Sequence, residues 1–130
     1  DAFDSLDRVR RMQSMKTGAL IRFACEAGAL LADAPKADRE RLASYGDALG
    51  FAFQIADDLL DVEGSAEEMG KAVAKDAEAG KATLVQLMGI DAARAKLSAL
   101  QHEAVSLLEP YGARAQTLAA AASFVVNRRS

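Results

Sequence analysis

Phe51-Ala-Phe-Gln-Ile-Ala-Asp-Asp-Leu-Leu-Asp-Val62 sets three carboxylates, Asp57, Asp58 and Asp61, inside an apolar segment with helical spacing. Phe51, Ile55, Leu59 and Val62 recur at three- and four-residue intervals and form one apolar stripe. Asp57 and Asp58 stand four and three residues before Asp61, so all three project from adjoining parts of one helix surface, with Gln54 a turn earlier. Like charges at that spacing repel, and a charge is rarely buried without a partner. A cation is therefore expected beside them. Carboxylates without His or Cys are hard oxygen donors, which suit Mg²⁺ better than zinc or copper. Mg²⁺ characteristically takes one or two carboxylates plus phosphate oxygens, so a metal–diphosphate site is the natural reading. Spacing alone leaves open a solvated acidic end to an amphipathic helix, which the macrodipole makes less comfortable.

The rest of the chain is built to be helical. Its 130 residues suffice for a single core, 51% are apolar, and only two are proline. Abundant alanine and few β-branched pairs favour helix almost throughout. The net charge of −3 argues against general nucleic-acid binding. The single Cys25 lies in an apolar stretch with no His nearby, which reads as a buried structural thiol in a reducing, cytoplasmic setting. No apolar run approaches the length of a membrane span.

Leu6, Val9 and Met12 give a weak stripe over residues 4–15, and Lys16-Thr-Gly18 is expected to interrupt it before a second helix to about Ala32. Asp33-Ala-Pro35 reads as a turn and Asp38 as the cap of a helix ending near Val62, so that the aspartates fall close to its C-terminus. Residues 63–80 form a polar interlude, too long and charged for a mere turn. A short helix over 81–88, a long amphipathic one from Asp91, a stop at Pro110-Tyr-Gly112 and a last helix to Val126 complete the pattern. Tyr45 and Tyr111 read as packing or turn residues, His102 as solvated, and the scattered methionines as core fillers.

A second constellation is basic. Lys16, Lys71 and Lys81 sit at glycine-flanked breaks and Lys75 at a Lys-Asp step between two of them, where the backbone can approach a ligand closely and a compact ammonium suits a phosphate. Each alone is an ordinary surface lysine; four around an acidic cluster are more suggestive. Gly80-Lys-Ala-Thr83 is not a P-loop, since the upstream glycine and preceding strand are missing.

Lys16-Thr-Gly18, Phe53-Gln-Ile-Ala-Asp-Asp-Leu-Leu-Asp61, Gly70-Lys71, Asp76 and Gly80-Lys-Ala-Thr83 follow the order and approximate spacing of the trans-isoprenyl diphosphate synthases. The chain resembles that family over nearly its whole length, most closely the bacterial farnesyl diphosphate synthase branch. The resemblance implies an all-α chain, an antiparallel helix bundle forming part of the isoprenoid synthase fold. It also implies a prenyl transfer in which Mg²⁺ ions bridging two aspartate-rich motifs hold an allylic diphosphate. Pyrophosphate leaves, and the double bond of isopentenyl diphosphate attacks the allylic cation. Asp57, Asp58 and Asp61 look like the second motif, with Asp57 the direct Mg²⁺ ligand and the other two acting more through water. Lys16, Lys71 and Lys81 match the lysines that neutralise the allylic diphosphate, Thr17 and Gln54 match polar residues lining that site, and Asp76 matches the loop aspartate near it, a further possible metal contact. Arg128-Arg129 resemble the basic tails that help to close the site.

The first aspartate motif, its paired arginines, the isopentenyl diphosphate contacts and the residues that set product length are absent. By the resemblance, residues 1–130 are the C-terminal portion of the synthase domain, inactive alone, from an enzyme that is homodimeric when complete. Apolar faces normally turned towards the N-terminal half would then drive self-association or pairing with that half. A non-catalytic helical partner subunit is the alternative. A class I terpene cyclase fragment is disfavoured, because its second metal motif mixes Asn, Ser or Thr with Glu.

Overall fold

Two long helices form the frame. The computed structural model describes the backbone over residues 2–68 and 84–128, and every regular element among them is helical. Helix α1 spans Ala2–Leu31 and α2 spans Lys36–Glu68. After the undescribed stretch come α3 (Leu84–Met88), α4 (Ile90–Leu107), a 3₁₀ segment (Glu109–Ala115) and α5 (Gln116–Asn127).

The expected break at Lys16-Thr-Gly18 does not occur: α1 runs straight through it. A helical glycine costs about 1 kcal/mol relative to alanine, but here tertiary contact explains why one is tolerated. The helices run antiparallel with Gly18 against Gly50 and Arg22 against Gly46. A Cβ on Gly50 would stand 3.0 Å from the Gly18 Cα, and one on Gly46 only 2.8 Å from the Arg22 Cα. Backbone thus packs directly on backbone. Ion pairs from Arg22 to Glu26 (2.9 Å) and Asp47 (2.8 Å) border the contact, and Cys25 Sγ would stand 3.4 Å from a Cβ on Gly46. Cys25 is half-buried rather than fully enclosed, and burial pushes its thiol pKa up.

The turn between α1 and α2 places Asp33 in the left-handed region at φ 54°, which Asp tolerates better than most residues. Helix α2 opens one turn earlier than expected, its first amides bonding to the Pro35 carbonyl. Asp38 is therefore inside the first turn instead of capping it, and its carboxylate accepts a 2.7 Å hydrogen bond from the Tyr111 hydroxyl. At its other end α2 continues six residues beyond Val62, to Glu68. The aspartates are mid-helix. The expectation that they crowd the C-terminal end, opposing the dipole, is corrected: the terminal carbonyls lie more than a turn away, beyond the reach of that effect.

The core gathers on the opposite side of α2 from α1. Tyr45, Ala48, Ala52, Ile55, Ala56 and Leu59 of α2 meet Val85 of α3, Ala93, Leu97, Leu100 and Ala104 of α4, and Ala122 of α5. Half of these residues are alanines, which let the helices approach closely. Tyr45 is fully buried, and its hydroxyl donates to the Leu118 carbonyl at 2.6 Å, tying α2 to α5. Arg41 reaches the Leu107 carbonyl at 3.3 Å. Gly112, at φ 57° and ψ −135°, turns the chain between α4 and α5. Of the described methionine side chains, Met12, Met15 and Met88 are exposed instead of filling the core. Leu20, Phe23, Leu30 and Leu31 extend the apolar outer surface of α1.

Two measurements check this packing. Gly46→Ala forces Cβ into the Arg22 backbone and is expected to destabilise the chain by about 1–3 kcal/mol in urea unfolding. Gly28→Ala, where a Cβ meets nothing within 4 Å, is expected to stabilise it by about 0.5–1 kcal/mol. Burial, together with the nearby Cys25, pushes the Tyr45 phenol from its ordinary value of 10 up to about 12. Between those values the unfolded chain loses the proton and the folded chain keeps it, so stability falls across that window and levels off above it. Tyr45→Phe is expected to flatten that alkaline slope, with a cost of about 1 kcal/mol at neutral pH.

Candidate functional site

The acidic cluster continues the face by which α2 packs on α1. Residues 43, 46, 50, 54, 57 and 61 follow three- and four-residue steps and share one side of the helix. That side is buried at Ala43, Gly46 and Gly50, half-buried at Gln54, and exposed at Asp57 and Asp61. The contact between α1 and α2 at Gly46 and Gly50 thus gives way to exposed carboxylates two to three turns further along. Extending the antiparallel pairing places Lys16 at the level of Ala52, within about one turn of Gln54. On α1, Lys16 is exposed and Thr17 half-buried.

The three aspartates are not equivalent. Asp58 is 9% exposed and accepts a 3.3 Å hydrogen bond from Gln54 Nε2. A buried carboxylate requires such donors, because losing water without replacement is costly. Asp57 has 52% of its side chain exposed and accepts a 2.9 Å bond from Arg128 Nη2. Asp61 lies exposed one turn on. Two accessible carboxylates with a buried, amide-bonded third fit a hard divalent ion that keeps several waters and takes only part of its shell from protein. Among the described residues, no three His, Cys, Asp or Glu side chains converge into a closed metal cage. The donor set fits Mg²⁺ as one wall of a site.

The basic half of the reading is divided. Lys16 and Thr17 are among the described residues of α1, whereas Lys71, Lys75, Asp76 and Lys81 lie outside them. Arg128, read in the sequence only as part of a basic tail, lies against the acidic face. Its guanidinium stacks on Phe53 at 4.5 Å from the ring centre while it binds Asp57. Nothing in the sequence pairs residues 71 positions apart; the contact comes from α5 crossing α2. Beside it lies a groove of about 380 Å³ with an apolar floor that includes Leu59, Leu97 and Val126. Arg94, paired with Glu63, sits on its rim. A larger groove of about 430 Å³, near the turn between α1 and α2, is lined by Arg22, Lys36 and Arg39 with Glu26, Glu40 and Asp47. Its charges balance, and Arg22 and Lys36 pair with its carboxylates.

Comparison with known proteins agrees with the arrangement. The sequence pattern of the polyprenyl synthetase family matches residues 1–118. Farnesyl diphosphate synthase of Bacillus subtilis (strain 168) is 39% identical over 104 residues, covering 80% of this chain and 35% of the relative. Geranylgeranyl diphosphate synthase of Cyanophora paradoxa is 36% identical over 126 residues, 97% of this chain and 42% of the relative. The crystal structure of an FPP/GFPP synthase from Zymomonas mobilis superposes with a TM-score of 0.75 at 38% identity, covering 92% of this chain and 38% of that one. The chain thus spans well under half the length of these relatives. The all-α isoprenoid synthase fold expected from the sequence is the one found.

The two arginine pairs along α2 should separate in their effect on stability. Arg94→Ala removes an exposed ion pair with Glu63 and is expected to change unfolding free energy by less than about 1 kcal/mol. Arg128→Ala removes an arginine whose side chain is 15% exposed, with both its stacking and its charge contact, and is expected to cost about 1–2 kcal/mol in the same assay.

Proposed function

The chain belongs to the polyprenyl synthetase family, and we propose that it forms the second-aspartate wall of a prenyl diphosphate synthase site. The whole protein would condense an allylic diphosphate with isopentenyl diphosphate into a longer trans-prenyl diphosphate. The observation that carries this reading is the α2 face, close-packed against α1 at Gly46 and Gly50 and then open at Asp57 and Asp61. Lys16 and Thr17 lie at about the level of Gln54 on the neighbouring helix α1.

In this reading Asp57 would hold Mg²⁺ directly, with Asp58 and Asp61 acting more through water. Gln54 orients Asp58. Mg²⁺ supplies neutralisation of the diphosphate oxygens, where charge concentrates as the leaving group departs. Lys16, Lys71 and Lys81 neutralise the same oxygens, with Thr17 and Gln54 as hydrogen-bonding neighbours and Asp76 beside them. A preorganised cationic cradle stabilises the departing diphosphate more than the bound substrate, and such differential binding lowers the barrier.

Residues 1–130 correspond, in this proposal, to the C-terminal portion of the synthase domain. One carboxylate wall grips a diphosphate from one side only and leaves its partner substrate without a site, so the chain alone does not condense its substrates. The exposed apolar residues of α1, Met12, Met15, Leu20 and Phe23 among them, favour covering by the complementary half or by another copy.

Calorimetry with a non-ionisable allylic thiolodiphosphate and Mg²⁺ tests the site. Asp57→Asn and Lys16→Ala are each expected to weaken Mg²⁺-dependent binding by about ten-fold or more, while Asp47→Asn, far along α2, leaves it unchanged. Equal affinities in all three variants would sink the assignment. Incorporation of labelled isopentenyl diphosphate into longer products by the 130-residue chain would refute the claim of inactivity. Light scattering is expected to show self-association, and a monodisperse monomer would count against the exposed-face argument.

A further inference from the structure

The contact between Arg128 and Asp57 joins the end of the described chain to the carboxylate assigned as the direct metal ligand. Arg128 follows the last residue of α5 and leaves the helix in an extended conformation, φ −64° and ψ 145°. Its side chain is 15% exposed, held between the Phe53 ring at 4.5 Å and Asp57 Oδ1 at 2.9 Å. Its Nε is buried without a hydrogen-bond partner. The docked guanidinium is therefore well placed for one acceptor and poorly satisfied elsewhere. An interaction with that balance holds the segment yet can be displaced by a stronger competitor.

We propose that Arg128 is a built-in counter-ion that occupies the cation position at Asp57 until a divalent metal arrives, so that docking of the α5 end and metal loading at Asp57 exclude one another. The inference rests on the metal-site reading above and adds a regulation of that site. A divalent ion on Asp57 would bring two positive charges beside a third in a partly desolvated place, and their repulsion disfavours simultaneous occupancy. The acidic face would then never stand uncompensated: one cation leaves as the other binds. Because Arg128 is anchored on α5, its release also loosens the end of that helix.

The full 130-residue chain serves for the test, with Mn²⁺ as the probe and its free signal followed by electron paramagnetic resonance. Arg128→Gln is expected to bind Mn²⁺ several-fold more tightly than the parent chain. Phe53→Leu, which removes the stacking surface but keeps the charge, is expected to move affinity the same way by a smaller factor. Amide hydrogen exchange over Phe124–Asn127 is expected to quicken when Mg²⁺ is added, and equally in metal-free Asp57→Asn. Unchanged or weaker Mn²⁺ binding in Arg128→Gln, or exchange indifferent to Mg²⁺, overturns the counter-ion while leaving the metal site intact. No Mn²⁺ binding by either the parent chain or Arg128→Gln overturns the metal-site reading, and this inference with it.

Discussion

The close approach of α1 and α2 at Gly46 and Gly50 is the constraint on which the arrangement depends. Any side chain at either position would push against the Arg22 or Gly18 backbone, within 2.8–3.0 Å. The crossing fixes the antiparallel pairing of the two longest helices, and with it the level at which Lys16 and Thr17 stand relative to Gln54 and the aspartates. A shift of one turn would move Lys16 by about 5.4 Å along the axis and place it beside a different part of α2. The glycines thus set the level of these side chains from more than a turn away.

A single helix face serves two ends. Over Ala43 to Gly50 it is small and dry and packs on α1; from Gln54 to Asp61 it is polar and open. The reverse side of the same helix carries Tyr45, Ala48, Ile55 and Leu59 into the core with α3, α4 and α5. Carboxylates can be held on so apolar a helix because the rest of its circumference supplies the packing. Each aspartate with a described partner is compensated: Asp58 by an amide, Asp57 by a guanidinium.

Tyr45 and Arg128 make α5 more than a packing element. The Tyr45 hydroxyl anchors the Leu118 carbonyl near its start, and Arg128 meets the acidic face at its end. Both ends of a 12-residue helix are therefore tied to α2. The first tie is buried and resists water; the second rests on a half-exposed carboxylate and is open to exchange.

The helical class, the order of the elements after residue 84 and the acidic cluster were legible in residue spacing, because amphipathic period and charge placement are local properties. The ordered lysine, glutamine and aspartate motifs also identified the family, since motifs are read in sequence order. Local rules failed where tertiary contact outweighed them. Lys16-Thr-Gly18 looked like a break because glycine weakens an isolated helix, yet Gly18 lies in the interior of α1, at the contact with Gly50. Asp38 looked like a cap because short acidic side chains often are, yet Pro35 starts α2 and Tyr111 claims the carboxylate. By itself, then, the sequence determined what kind of helices these are and which helix carries the clustered carboxylates, through periodicities of three and four residues. Only the tertiary structure decided that Asp58 is buried while Asp57 is open, and that Arg128 meets Asp57. Burial and long-range pairing depend on how helices cross, and no local pattern encodes a contact across 71 residues.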